Sequence, residues 1–160
     1  NYISRRDRVD KTINARRSEV FPKYAAERPG VITMGEHGLF GQEDYVNLRK
    51  ASEEIYNHKG IVWQQVISLR QTDAERLGYN NAGAWKSLIR RHLNEIAEAH
   101  RIDIDNIRWY AAFHNKDHHP HIHMLVYSAS GGGFLTTHGI EQMKSCMVRE
   151  ICRAYSWFYD

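Results

Sequence analysis

Five of the ten histidines fall in one run, His114-Asn115-Lys116-Asp117-His118-His119-Pro120-His121-Ile122-His123-Met124-Leu125-Val126-Tyr127. Imidazole is the commonest metal ligand in proteins and a proton carrier near neutral pH. From His121 onward the run alternates: His121, His123, Leu125 and Tyr127 fall on one side, Ile122, Met124 and Val126 on the other. That is the period of a strand, on which side chains at i and i+2 share a face about 6–7 Å apart. His121 and His123 can therefore converge on one ion. An earlier run also alternates, with Arg108, Tyr110, Ala112 and His114 opposite Trp109, Ala111 and Phe113. An antiparallel hairpin of the two runs brings His114 to the same spot as a third nitrogen. Three neutral imidazoles hold a borderline divalent cation and leave coordination positions open for substrate. A His-x-His pair alone is more often a surface pair or a hydrogen-bonded core feature. The third histidine and Pro120 directly before the pair shift the balance towards metal. A closed structural zinc would need a fourth protein ligand, and Cys146 and Cys152 sit far along the chain in a helical pattern.

The remaining elements must position this hairpin. Residues 1–28 are rich in charge and poor in apolar positions, which predicts short helical turns or a mobile arm. Pro29-Gly30 marks a turn, 31–34 a short strand, and 35–41 a glycine-punctuated loop. A helix is predicted over 43–57, from the spacing of Tyr45, Leu48, Ala51, Ile55 and Tyr56. Residues 61–70 read as a strand, with Trp63, Ile67 and Leu69 on one face and Gln64, Val66, Ser68 and Arg70 on the other. Thr72 and Asp73 offer caps for a short helix. A longer helix runs from 80–81 to about 100, burying Trp85, Leu88, Ile89, Leu93, Ile96 and Ala97. Strands at 107–114 and 119–128 follow. A last helix, capped by Thr136 or Thr137, turns Ile140, Met143, Met147, Ile151 and Ala154 inward. Strands interspersed with helices, two of the strands adjacent, predict an α+β fold: an antiparallel or mixed central sheet with helices mainly on one face.

A chain of 160 residues fits one domain, 1–160, with a proper core. It begins with Asn1, which suggests a fragment of a longer protein. No apolar run approaches the roughly 20 residues of a membrane span, and two cysteines six apart make no disulfide framework, which points to a reducing, cytoplasmic setting. The net charge of +3 permits a phosphate-rich partner without demanding one. Its distribution says more: Arg5, Arg6, Arg8, Lys11, Arg16 and Arg17 crowd the first 17 residues against Asp7 and Asp10. A solvated helix face would explain such a run as well as phosphate contact does.

The His114 … His-Pro-His-x-His arrangement resembles the motif of the HUH single-strand endonucleases. The string from Trp109 to His114 followed by 118–123 is similar to MobL/MobP-type plasmid mobilization relaxases. So are Gly35-Glu36-His37-Gly38-Leu39-Phe40, Val66-Ile67-Ser68-Leu69-Arg70 and Asp73 through Tyr79, in order along most of the chain. The resemblance implies a metal-dependent, site-specific DNA nickase that starts plasmid mobilization or conjugation in a bacterial cytoplasm, with single-stranded DNA at a transfer origin and accessory relaxosome proteins as partners. It implies a divalent ion (Mg2+, Mn2+ or Zn2+) on His114, His121 and His123, and a sheet usually of five strands, whose first, at one edge, is in doubt in this chain. It also implies a tyrosine nucleophile that becomes joined to the 5′ phosphate. Tyr2, in Tyr-Ile-Ser-Arg, matches the family's N-terminal motif, and Tyr24 is its rival. Ser68 takes the place of a serine that contacts DNA beside the nick.

Asp117 and His119 are candidates to orient the ligands from behind, or simply to cap a tight turn. Arg5, Arg6, Arg8, Arg70 and Arg108 are candidates for phosphate contact, and Tyr110 and Tyr127 for base stacking on an open face. Three other readings compete, one of them a non-catalytic nucleic-acid module with a structural metal. Another is a replication initiator or transposase of the same chemistry. The third is a small-molecule metalloenzyme with a His-x-His pair, whose usual closed barrel the helix content argues against.

Overall fold

The computed structural model describes residues 2–3, 26, 37–116 and 119–159. The expected turn at 29–30 and strand at 31–34 lie outside these. Five strands form one sheet in the order β1-β3-β5-β4-β2: β1 Tyr2–Ile3, β2 Leu39–Gly41, β3 Val62–Ser68, β4 Ile107–Lys116 and β5 His119–Ser128. Every pairing is antiparallel. The expectation of an arm or helical turns at the start is corrected at Tyr2–Ile3, which pair with Ser68 and Ile67 as an edge strand. The edge that the resemblance put in doubt is thus occupied.

Strand alternation divides the chain between two faces. Trp63, Ile67, Trp109, Phe113, Ile122, Met124 and Val126 project to one side and join a single core with four helices. These are α2 (Gln71–Leu77), α3 (Ala82–Arg91), α4 (Leu93–Ala99) and α5 (Thr137–Tyr159). Trp85 of α3 is fully buried there, and its indole N–H donates to the Tyr79 carbonyl at 2.8 Å; truncating such a residue to Ala typically costs about 3–5 kcal/mol. The helix α1 (Leu48–Asn57) lies on the other face, where Ile55 packs with Val62, Leu125 and Tyr127.

Helix boundaries differ from the sequence pattern where capping overrides periodicity. Helix α1 starts at 48, not 43, because the Asn47 side chain accepts the Lys50 N–H at 3.0 Å. Neither Thr72 nor Asp73 caps α2: Arg70 holds the N-cap position without a side-chain bond, and Asp73 instead pairs with Arg76 at 2.9 Å. The helix ends at Gly78, whose φ of 81° is the left-handed conformation glycine adopts without strain. The predicted 80–100 helix is two, broken at His92 with φ −110° and ψ 23°. No Gly or Pro marks that break. Thr136 is the cap of α5, its Oγ1 accepting from the Gly139 N–H at 2.9 Å. Among the described residues, no helix is long and apolar enough to cross a membrane.

Candidate metal centre

Pairing fixes the site before any side chain is considered. In the β4–β5 hairpin His114 stands opposite His121 and Ala112 opposite His123. On the far side of β5, Ser68 faces His121 and Val66 faces His123. Cross-strand partners share a sheet face, so His114, His121, His123 and Ser68 are on one side together. Tyr2 pairs with Ser68 and completes a row Tyr2–Ser68–His121–His114 across four strands.

The three imidazoles converge. Ring centroids lie 5.3 Å apart for His114–His121, 4.7 Å for His114–His123 and 5.0 Å for His121–His123. One nitrogen from each falls within 4.8 Å of the other two. A divalent ion bound about 2.0–2.1 Å from each nitrogen needs them roughly 3.3 Å apart, which ring rotations of about an ångström achieve. The donor set fits a borderline cation, and imidazole suits zinc better than magnesium. Ala112, fully buried opposite His123, leaves room for the rings to meet. Its small side chain at a position sharing the face of His114 was the sequence signal for this, and only the pairing gives it meaning.

The His121 Nδ1 lies 2.6 Å from the His119 carbonyl. A carbonyl only accepts, so Nδ1 carries the proton and Nε2 keeps its lone pair for a ligand. The contact of His119 with the cluster is through its main chain. His114 is 1% exposed, and His121 and His123 are half-buried.

The expectation of ring faces open for stacking meets a covered sheet. Tyr127 is buried, and the half-buried Tyr110 donates to Glu54 of α1 at 3.0 Å. Burial, with the mutual influence of the two rings and Glu54, pushes the Tyr110 hydroxyl well above its ordinary range. Burial and the nearby Glu54 push Tyr127 up to about 12. Both stay protonated and tie α1 to the sheet. Arg108 is exposed, donates to the carbonyls of Asp105 and Ile107, and lies six residues along β4 from His114, about 20 Å away. It borders a cleft of about 440 Å3 with Gln42, Lys50 and Glu54, at the opposite end of β4 from the histidines. Arg70 is exposed two residues beyond Ser68, near the cluster. Tyr24, Arg5, Arg6, Arg8 and Asp117 lie outside the described residues.

His37 has a local role. Its Nε2 donates to the Val46 carbonyl at 2.6 Å while Nδ1 accepts from Leu39 at 3.0 Å, fastening the loop before α1 to β2.

A family model described as MobL relaxases matches residues 1–151. No curated protein and no solved structure matches the chain.

Proposed function

Because the chain belongs to the MobL relaxase family, we propose that it nicks one strand of DNA at a specific site in a transfer origin, to start plasmid mobilization or conjugation. The observation that carries this reading is the convergence of His114, His121 and His123 in the same cross-strand rows as Ser68 and Tyr2. The open antiparallel sheet, not a closed barrel, favours a DNA strand over a small metabolite as substrate.

His114, His121 and His123 would hold a divalent ion, which when bound supplies Lewis-acid polarisation of the scissile phosphate. The His119 carbonyl keeps His121 in the ligating tautomer. Tyr2 is the nucleophile. Strands stand about 4.8 Å apart, so the Tyr2 backbone lies two strands, about 10 Å, from that of His121. A tyrosine can span that distance to a phosphate seated between them. Its oxygen attacks phosphorus from about 3–3.5 Å as the hydroxyl gives up its proton, the bond to the 3′ oxygen breaks, and that oxygen takes up a proton in exchange. The tyrosine is left joined to the 5′ phosphate, and the reverse attack restores the strand. Ser68 and Arg70 contact the DNA beside the nick, with Arg5 and Arg6 of the basic N-terminal stretch on neighbouring phosphates. The protein acts in the bacterial cytoplasm with accessory proteins on the same DNA.

The test is covalent trapping on a single-stranded oligonucleotide with Mn2+, using the full-length protein. Tyr2→Phe keeps binding and loses the adduct, while Tyr24→Phe keeps both. An adduct that survives Tyr2→Phe and disappears in Tyr24→Phe reverses the assignment. A wild-type protein that never forms one overturns the nickase reading.

A further inference from the structure

A second group of metal-ligand side chains lies where the α3–α4 junction meets α5. His92 sits at the helix break, Glu95 is one turn further into α4, and Cys146 projects from α5. The Cys146 Sγ is 3.3 Å from the His92 Nδ1, and that same nitrogen is 3.6 Å from a Glu95 oxygen. A tetrahedral ion with metal–sulfur about 2.3 Å and metal–nitrogen or metal–oxygen about 2.0–2.1 Å has ligand–ligand edges of roughly 3.3–3.6 Å. Both separations from Nδ1 match those edges, and the third, between thiol and carboxylate, is within 4.8 Å.

The far side of the ring strengthens the case. His92 Nε2 points to Glu150 Oε2 at 3.5 Å, and the other Glu150 oxygen is held by Arg91 at 3.4 Å. Nε2 makes no hydrogen bond as it stands, but a carboxylate this close can accept its N–H after a small turn of the ring, which leaves the opposite nitrogen to bind metal. Here that leaves Nδ1 facing the thiol and Glu95. The side chain of His92 is 16% exposed and that of Glu95 47%, so the site is shielded on one flank and reachable by ions on the other.

The geometry points to a zinc-type site formed by His92 Nδ1, Glu95 and Cys146, with Glu150 orienting the imidazole and water in the fourth position. On binding, the Cys146 thiol gives up its proton to solvent. Thiolate, carboxylate and neutral imidazole then balance the two positive charges. Such an ion clamps α5 to the α3–α4 junction. It is separate from the three-histidine cluster, which has no sulfur ligand.

That difference gives the test a private signal. Full-length protein is titrated with Co2+ and observed in the near ultraviolet, where only thiolate ligation gives a charge-transfer band. The expected result is one such band in wild type, in Cys152→Ser and in the His121→Ala/His123→Ala variant, with loss of the band in Cys146→Ser. Glu95→Gln should weaken Co2+ binding at least tenfold. Zn2+ at about a hundredfold over its Kd should raise the melting temperature of the His121→Ala/His123→Ala protein by about 5–10 °C, and not that of the same protein carrying Cys146→Ser. No band in wild type, or a band that survives in Cys146→Ser, overturns the site. In that case the 3.3 Å contact is an ordinary thiol–imidazole hydrogen bond.

Discussion

Acidification should unfold this protein through one histidine remote from the metal cluster. His100 ends α4 and is fully buried against the sheet, edge-on to Trp63 at 5.4 Å. Its Nδ1 donates to the Ile96 carbonyl at 2.7 Å, so Nε2 is the acceptor for the Gln65 amide, also at 2.7 Å. Burial lowers its pKa from 6.5 to about 4, and the Ile96 bond opposes this only in part. The folded protein thus resists a proton that the unfolded chain accepts at about 6.5. Between those values the unfolded state binds more protons, so stability falls as pH falls through 6.5 towards 4. A difference of about 2.5 units is worth about 3 kcal/mol, or roughly 10 °C in melting temperature for a chain of this size. The measurement is thermal unfolding from pH 7 to 4 with a chelator present, for wild type and His100→Gln, which keeps an acceptor for Gln65 and does not titrate in this range. His100→Gln is less stable at pH 7, and its stability changes less with pH by about 3 kcal/mol. Equal pH slopes for the two proteins would refute the reasoning.

Replacing His121 and His123 together with Ala should end Mn2+ uptake at the three-histidine cluster, measured by calorimetry, and leave cooperative unfolding in place; loss of the folded state would mean that the metal is structural. A Cβ at Gly139 would stand 2.5 Å from the Ala99 carbonyl oxygen, a backbone atom that cannot swing aside. Gly139→Ala should therefore destabilise by about 1–3 kcal/mol in urea unfolding, and an unchanged midpoint would show that α5 shifts freely over α4. The Asn81 side chain caps α3 by accepting from the Ala84 N–H at 2.8 Å; Asn81→Ala should cost about 1 kcal/mol, with no effect on Mn2+ binding.

Local sequence determined the hairpin and the grouping of the three histidines. Alternation at 107–114 and 119–128 put Ile122, Met124 and Val126 in the core and His121 and His123 opposite, because a strand's period of two leaves no other assignment once one face is apolar. The same logic placed Trp85, Leu88 and Ile89 inside α3. What local pattern could not supply was anything requiring two distant segments at once. Pairing of β1 with β3 brings Tyr2 into line with Ser68 and His121, although Tyr2 and His121 are far apart in the chain. Helix α1 crosses to the second face and closes over Tyr110 and Tyr127, which no pattern within β4 or β5 foretells. The break at His92 carries no glycine or proline, and His92 meets Cys146 only because α5 packs there. Types and spacing are local and are written in the chain. Registers between strands, and the distances between side chains on different helices, are set by how the apolar faces bury one another.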